Sequence, residues 1–246
     1  MNYSIMSHMI ASYPDERTAM QVAKGLSRGG ASYLEIQFPF SDPTADGPVI
    51  QEACTKAIEN GFTLDRGFTF ITELMKIIDT PVYIMTYAAP VVYIGVAEYL
   101  RRAKASGAAG CIIPDLPVGS DEGMYQISSE LGLDCVPVIA PNTSIARLQE
   151  ILNVGPKHIY AALRAGITGT KTELTEDSLS FLAEVLKYEV KVLGGFGIRT
   201  REQVSALDER GVASVIGSYF VERLESLIET DADIEQGMSD AISSLV

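Results

Sequence analysis

The feature that most constrains this chain is an alternation that runs from one end of the sequence to the other. Eight apolar, β-branched runs are each followed by a segment whose apolar residues recur at helical spacing. The runs are Ser4 to Ser12, Ser32 to Phe38, Val82 to Tyr87, Gly110 to Asp115, Asp134 to Ala140, His158 to Arg164, Lys191 to Gly194 and Ala213 to Gly217. Near-continuous apolar runs of strand length suit strands covered on both faces, which is how parallel sheets are buried in α/β proteins. Between them, "DERTAMQVAKGLSRG" places Ala19, Val22, Ala23 and Leu26 on one helical face, with Gly29 as its stop. The stretches "GVAEYLRRAKASG", "SIARLQEILNVG" and "TREQVSALDERG" follow the same pattern, and Asp231 to Val246 reads as a last outer helix. These units share no repeated motif, which argues against a solenoid. The economical reading is an α/β fold, an eight-stranded (β/α)8 TIM barrel with residues 1–246 as a single domain, ahead of an open doubly wound sheet.

Composition then narrows the functions such a barrel can host. With 47% hydrophobic and 21% charged residues the chain has ample material for a core. The net charge of -13 is spread along the sequence, so it reads as a solvated surface and disfavours a nucleic-acid partner. No run reaches the roughly 18 apolar residues that would span a bilayer, and the N-terminus lacks a basic region followed by an apolar run. The expected location is cytoplasmic, with no membrane partner. Cys54, Cys111 and Cys135 form no CxxC pair and are expected reduced and buried. The two histidines, His8 and His158, stand 150 positions apart and make a metal site or a histidine triad implausible. Carboxylates or tyrosines are left to carry acid–base chemistry.

In a barrel the active site lies where strands lead into helices. At those ends the apolar filling gives way to Glu35 to Phe38, Tyr87, Asp115, Arg164, Gly194 to Gly197, and Gly217 with Ser218. "LGGFGIRTREQV" puts Gly194, Gly195 and Gly197 between a strand and a helix that Thr200 can cap, and "VIGSYFVERL" does the same with Gly217 and Ser218. Glycines here either make tight turns or let backbone N–H groups approach a phosphate; two such loops after the last two strands favour phosphate. "RAGITGT" adds Gly166, Thr168 and Gly169 as a candidate lid. Glu35 shares its strand face with Tyr33 and Gln37, and a carboxylate beside an apolar pocket can carry a proton in either direction. It can also be a satisfied buried polar residue. Asp42 in "SDP" reads as turn chemistry, whereas Asp46 in the same loop fits a turn or a site and is expected to face solvent until a ligand covers it. No lysine stands at a strand end to form a Schiff base, and Lys191 begins its strand at the opposite end.

Over nearly its whole length the chain resembles the tryptophan synthase alpha chain family. The residues that carry this are "LEIQFPFSDPTADGPVIQ" from Leu34 to Gln51, "MTYAAP", "DLP", "APN", "RAGITG", "GGFG" and "GS" at Gly217 and Ser218, in that order. The resemblance implies a lyase of L-tryptophan biosynthesis that cleaves indole-3-glycerol phosphate to indole and glyceraldehyde 3-phosphate. By the family pattern Glu35 protonates the indole ring at C3 and then accepts the glycerol hydroxyl proton, while Asp46 holds and helps remove the indole N–H proton. It implies Gly169, Gly197, Gly217 and Ser218 around phosphate, with Tyr160, Thr168, Phe196, Ile112, Val138 and Met85 facing substrate; the apolar ones fit core packing as well. No cofactor is implied in this chain. Pyridoxal phosphate is expected only in a beta-chain partner, in an alpha2-beta2 heterotetramer. The pattern is broken by Ser7, His8, Ile10 and Ser12 in the first strand, and by Gln37, Ala89 and Leu163. Two other readings use the same residues: a mainly non-catalytic subunit that activates a beta chain, and another phosphate-binding barrel enzyme.

Overall fold

A computed structural model describes residues 3–163, 176–195 and 197–246. Each apolar run contributes to the sheet, as β1 (Ile5–Ile10), β2 (Tyr33–Gln37), β3 (Val82–Met85), β4 (Gly110–Ile112), β5 (Asp134–Val136), β6 (Val138–Ile139), β7 (His158–Ala162), β8 (Lys191–Gly195) and β9 (Val212–Ile216). All pairings are parallel, in the order β5-β4-β3-β2-β1-β9-β8-β7-β6. The fifth run is the only one expected as a single strand that divides. Pro137 sits between β5 and β6 and has no N–H to give a ladder. Its carbonyl still accepts from Tyr160 N at 2.9 Å, so the two ends of the strand order meet there and the sheet is nearly closed into a TIM barrel.

Strand alternation divides the apolar residues into two layers. Leu34 and Ile36 of β2 turn outward into the layer shared with the helices, as do Ile5 and Met9 of β1. Met6, Met85, Ile112, Val136, Leu193 and Val215 fill the interior of the barrel. The inward face of β2 is left to Tyr33, Glu35 and Gln37, and this parity determines which polar groups reach the barrel axis.

At the strand starts the interior is closed by a polar cluster wrapped in rings. Tyr83 Oη donates to Asp134 Oδ2 at 3.0 Å, His158 Nδ1 lies 2.5 Å from the same oxygen, and Tyr33 meets both Tyr83 and His158 edge to face. Gly110 makes room for this floor, since a Cβ there would lie 2.0 Å from the Asp134 carbonyl oxygen. The exposed Lys191 begins β8 at this end.

The first and last helices pack against each other. Asp15 caps the helix Glu16–Arg28, accepting from Thr18 N at 2.9 Å. The expected tail helix is Ile234–Ser243. Gly25 and Gly29 allow it to come close, because a Cβ at either would fall 2.4 Å from the Glu235 carbonyl oxygen or 2.3 Å from Ile242. Gly29 therefore serves packing: its φ of -77° is right-handed, and the left-handed turn belongs to Gly30 at φ 107°. Cys54, Cys111 and Cys135 are buried free thiols.

Candidate active site

The opposite ends of the strands surround a cleft of about 620 Å³, counting the part open to solvent. Glu35, Asp46, Met85, Ile112, Val138, Tyr160, Gly197, Gly217 and Ser218, all singled out from the sequence, border it together. Thr168, Gly169 and Phe196 lie outside the described residues, as do Arg164 and Gly166. His8, Ala45, Ile50, Pro114, Ile198 and Val215 complete the wall and were not among the sequence candidates.

Glu35 comes from the inward face of β2. The parallel register pairs His8 of β1 with Glu35, so their side chains stand side by side with His8 Nδ1 2.9 Å from Glu35 Oε2. Both residues are 4% exposed. Burial alone would push the imidazole pKa down, but the charge of Glu35, its hydrogen bond and the charge of Asp46 outweigh it and hold His8 above its ordinary 6.5.

Asp46 follows in the loop between β2 and the helix Pro48–Glu59, whose first turn carries Pro48. The expectation that it faces solvent is not met, because Asp46 is 4% exposed. Gln37 Nε2 donates to its Oδ2 at 2.8 Å and Tyr87 Oη to the same oxygen at 2.7 Å. Gln51 Nε2 donates to its backbone carbonyl at 2.8 Å, and the Tyr87 hydroxyl accepts from Ala45 N at 3.1 Å. These bonds draw the loop onto the strand ends. Burial raises the carboxyl pKa and the nearby Glu35 adds to the rise, while His8 and the hydrogen bonds from Tyr87 and Gln37 oppose it. Asp42, by contrast, is exposed and accepts from Ser41 Oγ at 2.6 Å.

Across the cleft, Gly197 turns with φ 89° and Gly217 caps the helix Ser218–Glu229 without any side-chain cap. Uncapped backbone N–H groups at a helix start form a site for an anion. Thr200 caps the preceding helix, Arg201–Asp208, in a capping box with Gln203. Tyr160 enters the cleft from β7, its hydroxyl kept protonated by burial and by the charges of Glu35 and Asp46. Gly195 decides where that ring lies, because a Cβ there would sit 2.2 Å from the Tyr160 hydroxyl. The cleft thus presents two buried carboxylates and an apolar wall to a ligand whose anionic end can reach uncapped amides.

Gln37 and Tyr87 already stood among the strand-end residues in the sequence, without their bonds to Asp46. Gln37 stands two residues from Glu35 and so shares its face, and Tyr87 closes the third apolar run. His8 stood out only as a break in the family pattern of the first strand, and the register between β1 and β2 is what brings it to Glu35.

A family model described as tryptophan synthase alpha chain matches residues 2–244. Among curated relatives, the tryptophan synthase alpha chain of Helicobacter hepaticus is 39% identical over 230 residues, 91% of this chain and 86% of that protein. That of Carboxydothermus hydrogenoformans is 35% identical, over 92% of this chain and 85% of that protein. A solved structure from Pyrococcus furiosus, described by the mutual activation of the tryptophan synthase a2b2 complex, is similar with a TM-score of 0.88 and 30% identity, covering 100% of this chain and 99% of that one. The tryptophan synthase A-subunit of the same organism, studied for its entropic stabilisation, gives a TM-score of 0.88 and 31% identity at the same coverage.

Proposed function

The chain belongs to the tryptophan synthase alpha chain family, and from that premise we propose that it cleaves indole-3-glycerol phosphate to indole and glyceraldehyde 3-phosphate in L-tryptophan biosynthesis. The observation that carries this reading is the meeting of Glu35 and Asp46, both buried, at one cleft whose far side is formed by Gly197, Gly217 and Ser218.

In this reading the protonated Glu35 gives its proton to C3 of the indole ring, and Asp46 accepts the N–H of the same ring, favouring the indolenine tautomer. The carboxylate left on Glu35 then takes the proton of the glycerol hydroxyl. The bond between ring and side chain breaks, its electron pair returns to the ring, the ring nitrogen recovers its proton from Asp46, and the hydroxyl carbon becomes the aldehyde. Each acid–base role contributes about 10²- to 10⁴-fold, to which positioning adds. Met85, Ile112, Val138 and Tyr160 would enclose the indole, and the Gly217–Ser218 helix start with Gly197 would hold the phosphate. Thr168, Gly169 and Phe196 keep the roles that the family pattern gives them.

A beta chain is the proposed partner, in an alpha2-beta2 assembly. The helix Ala88–Ile94 begins beside the site, where Asp115 Oδ1 accepts from Ala88 N at 2.7 Å, and leaves Tyr93 88% and Val92 50% exposed. Apolar side chains so exposed next to the cleft suit a docking face. The purified chain, incubated with indole-3-glycerol phosphate alone and with its beta chain, should release indole and glyceraldehyde 3-phosphate in equal amounts. Absence of turnover in both mixtures would overturn the assignment and leave an activating, non-catalytic subunit.

A further inference from the structure

We propose that His8 is a positioning residue for the proton-carrying Glu35, holding one carboxylate oxygen through Nδ1 so that the other is free for the substrate. This rests on the lyase reading above, but its evidence is the geometry of the pair. Parallel register sets His8 beside Glu35, the Nδ1 to Oε2 distance is 2.9 Å, and both side chains are buried at the edge of the cleft. In this arrangement Nδ1 carries the proton that it donates to Glu35, and Nε2 is buried without a partner among the described residues.

The surroundings of His8 leave Glu35 as its principal partner. Asp46 reaches it from the loop after β2 by charge, and Tyr160 faces the same two carboxylates from β7. From the helices that flank it, Val22, Phe220, Val221 and Leu224 are apolar, and the hydroxyl of Tyr13 donates to Glu225 at 2.7 Å. At the base of the helix Ser218–Glu229, Gly217 lies next to His8 and adds no charged side chain; a Cβ there would meet the His8 Cβ at 3.6 Å, an ordinary contact. When Glu35 gives its proton to the ring carbon, the charge left behind meets the Nδ1–H already in place. No further proton is needed, and the same bond keeps Glu35 oriented to receive the hydroxyl proton. The net upward pull on the imidazole pKa agrees with a charge-assisted bond.

The chain contains two histidines, so imidazole nitrogen NMR resolves His8 from His158 without an activity assay. In Glu35→Gln the His8 titration should move down by about one pH unit or more, because the opposing charge is gone. An unchanged titration would overturn the pairing while leaving the lyase reading untouched. In turnover of indole-3-glycerol phosphate, His8→Leu should lower kcat by about 10- to 100-fold with little change in KM and displace the acid limb of the pH profile. His8→Asn, which keeps a donor near the Nδ1 position, should recover part of kcat but not the wild-type pH profile. Equal kcat and coincident pH profiles in wild type, His8→Leu and His8→Asn would refute the positioning role. If His8→Leu does not fold, His8→Asn and the NMR titration decide.

Discussion

The barrel buries a histidine against a carboxylate at both of its ends. At the mouth His8 Nδ1 lies 2.9 Å from Glu35, and at the floor His158 Nδ1 lies 2.5 Å from Asp134. The chemistry of the two pairs is the same, but their surroundings differ. The floor pair is shut in by Tyr33 and Tyr83, and the Tyr83 hydroxyl donates to Asp134 as well, tying β3, β5 and β7 together. The mouth pair borders an open cleft with a second carboxylate and an uncapped helix start across from it. A buried ion-forming pair becomes a candidate site when it faces space that a ligand can fill, and a structural tie when protein fills that space.

The comparison is most easily broken at its two carboxylates. Glu35→Gln should cut the rate of indole release by about 10²- to 10⁴-fold, some 3–5 kcal/mol, with a urea midpoint close to wild type. Asp134→Ala should do the reverse. It leaves the Tyr83 hydroxyl and the His158 ring with only their long 3.4 Å contact in the interior, and a loss of roughly 2–5 kcal/mol in denaturant unfolding is expected with kcat of the folded protein preserved. A large activity loss in a stably folded Asp134→Ala protein would erase the distinction between mouth and floor.

A smaller effect sharpens it. Gly195→Ala drives a methyl group against the Tyr160 hydroxyl, 2.2 Å away before relaxation, and the overpacking should cost about 1–3 kcal/mol. Pairing it with Tyr160→Leu, which removes both the hydroxyl and the ring carbon 2.7 Å from the added methyl, should make the two changes non-additive, the double variant losing less than the sum of the singles; strict additivity would mean that the clash lies elsewhere. The smallest effect is one of pH. His8 binds its proton more tightly when folded, so its contribution to stability is complete below 6.5 and is lost as pH rises through the higher folded value. Asp46 runs in the same direction from its ordinary 3.8, burial having raised it. The difference in unfolding free energy between wild type and His8→Asn should therefore be larger at about pH 6 than at about pH 9, and a gap that widens with pH would contradict the sign.

Much of this architecture was legible in the sequence because it depends on local pattern. Eight apolar runs gave eight positions around the barrel, and the two-residue period of β2 put Glu35 and Gln37 on one face. The split at Pro137 was written in the fifth run but needed the missing ladder N–H to be weighed. Asp46 could be picked out, whereas its burial could not, since that depends on Tyr87 folding back across 41 positions. His8 was harder still. The distance between the two histidines argued against a metal site or a triad, and strand register, which no local pattern specifies, placed His8 against Glu35.

In the proposed reading the mouth of the barrel binds indole-3-glycerol phosphate across its two buried carboxylates. The most direct test is a crystal structure of the Glu35→Gln variant, slowed enough to retain substrate, soaked with that compound. The phosphate should lie on the amides of Gly217, Ser218 and Gly197, with the indole ring between position 35 and Asp46 and its N–H on the Asp46 carboxylate. A phosphate bound away from those loops, or an indole ring outside the cleft, would contradict it.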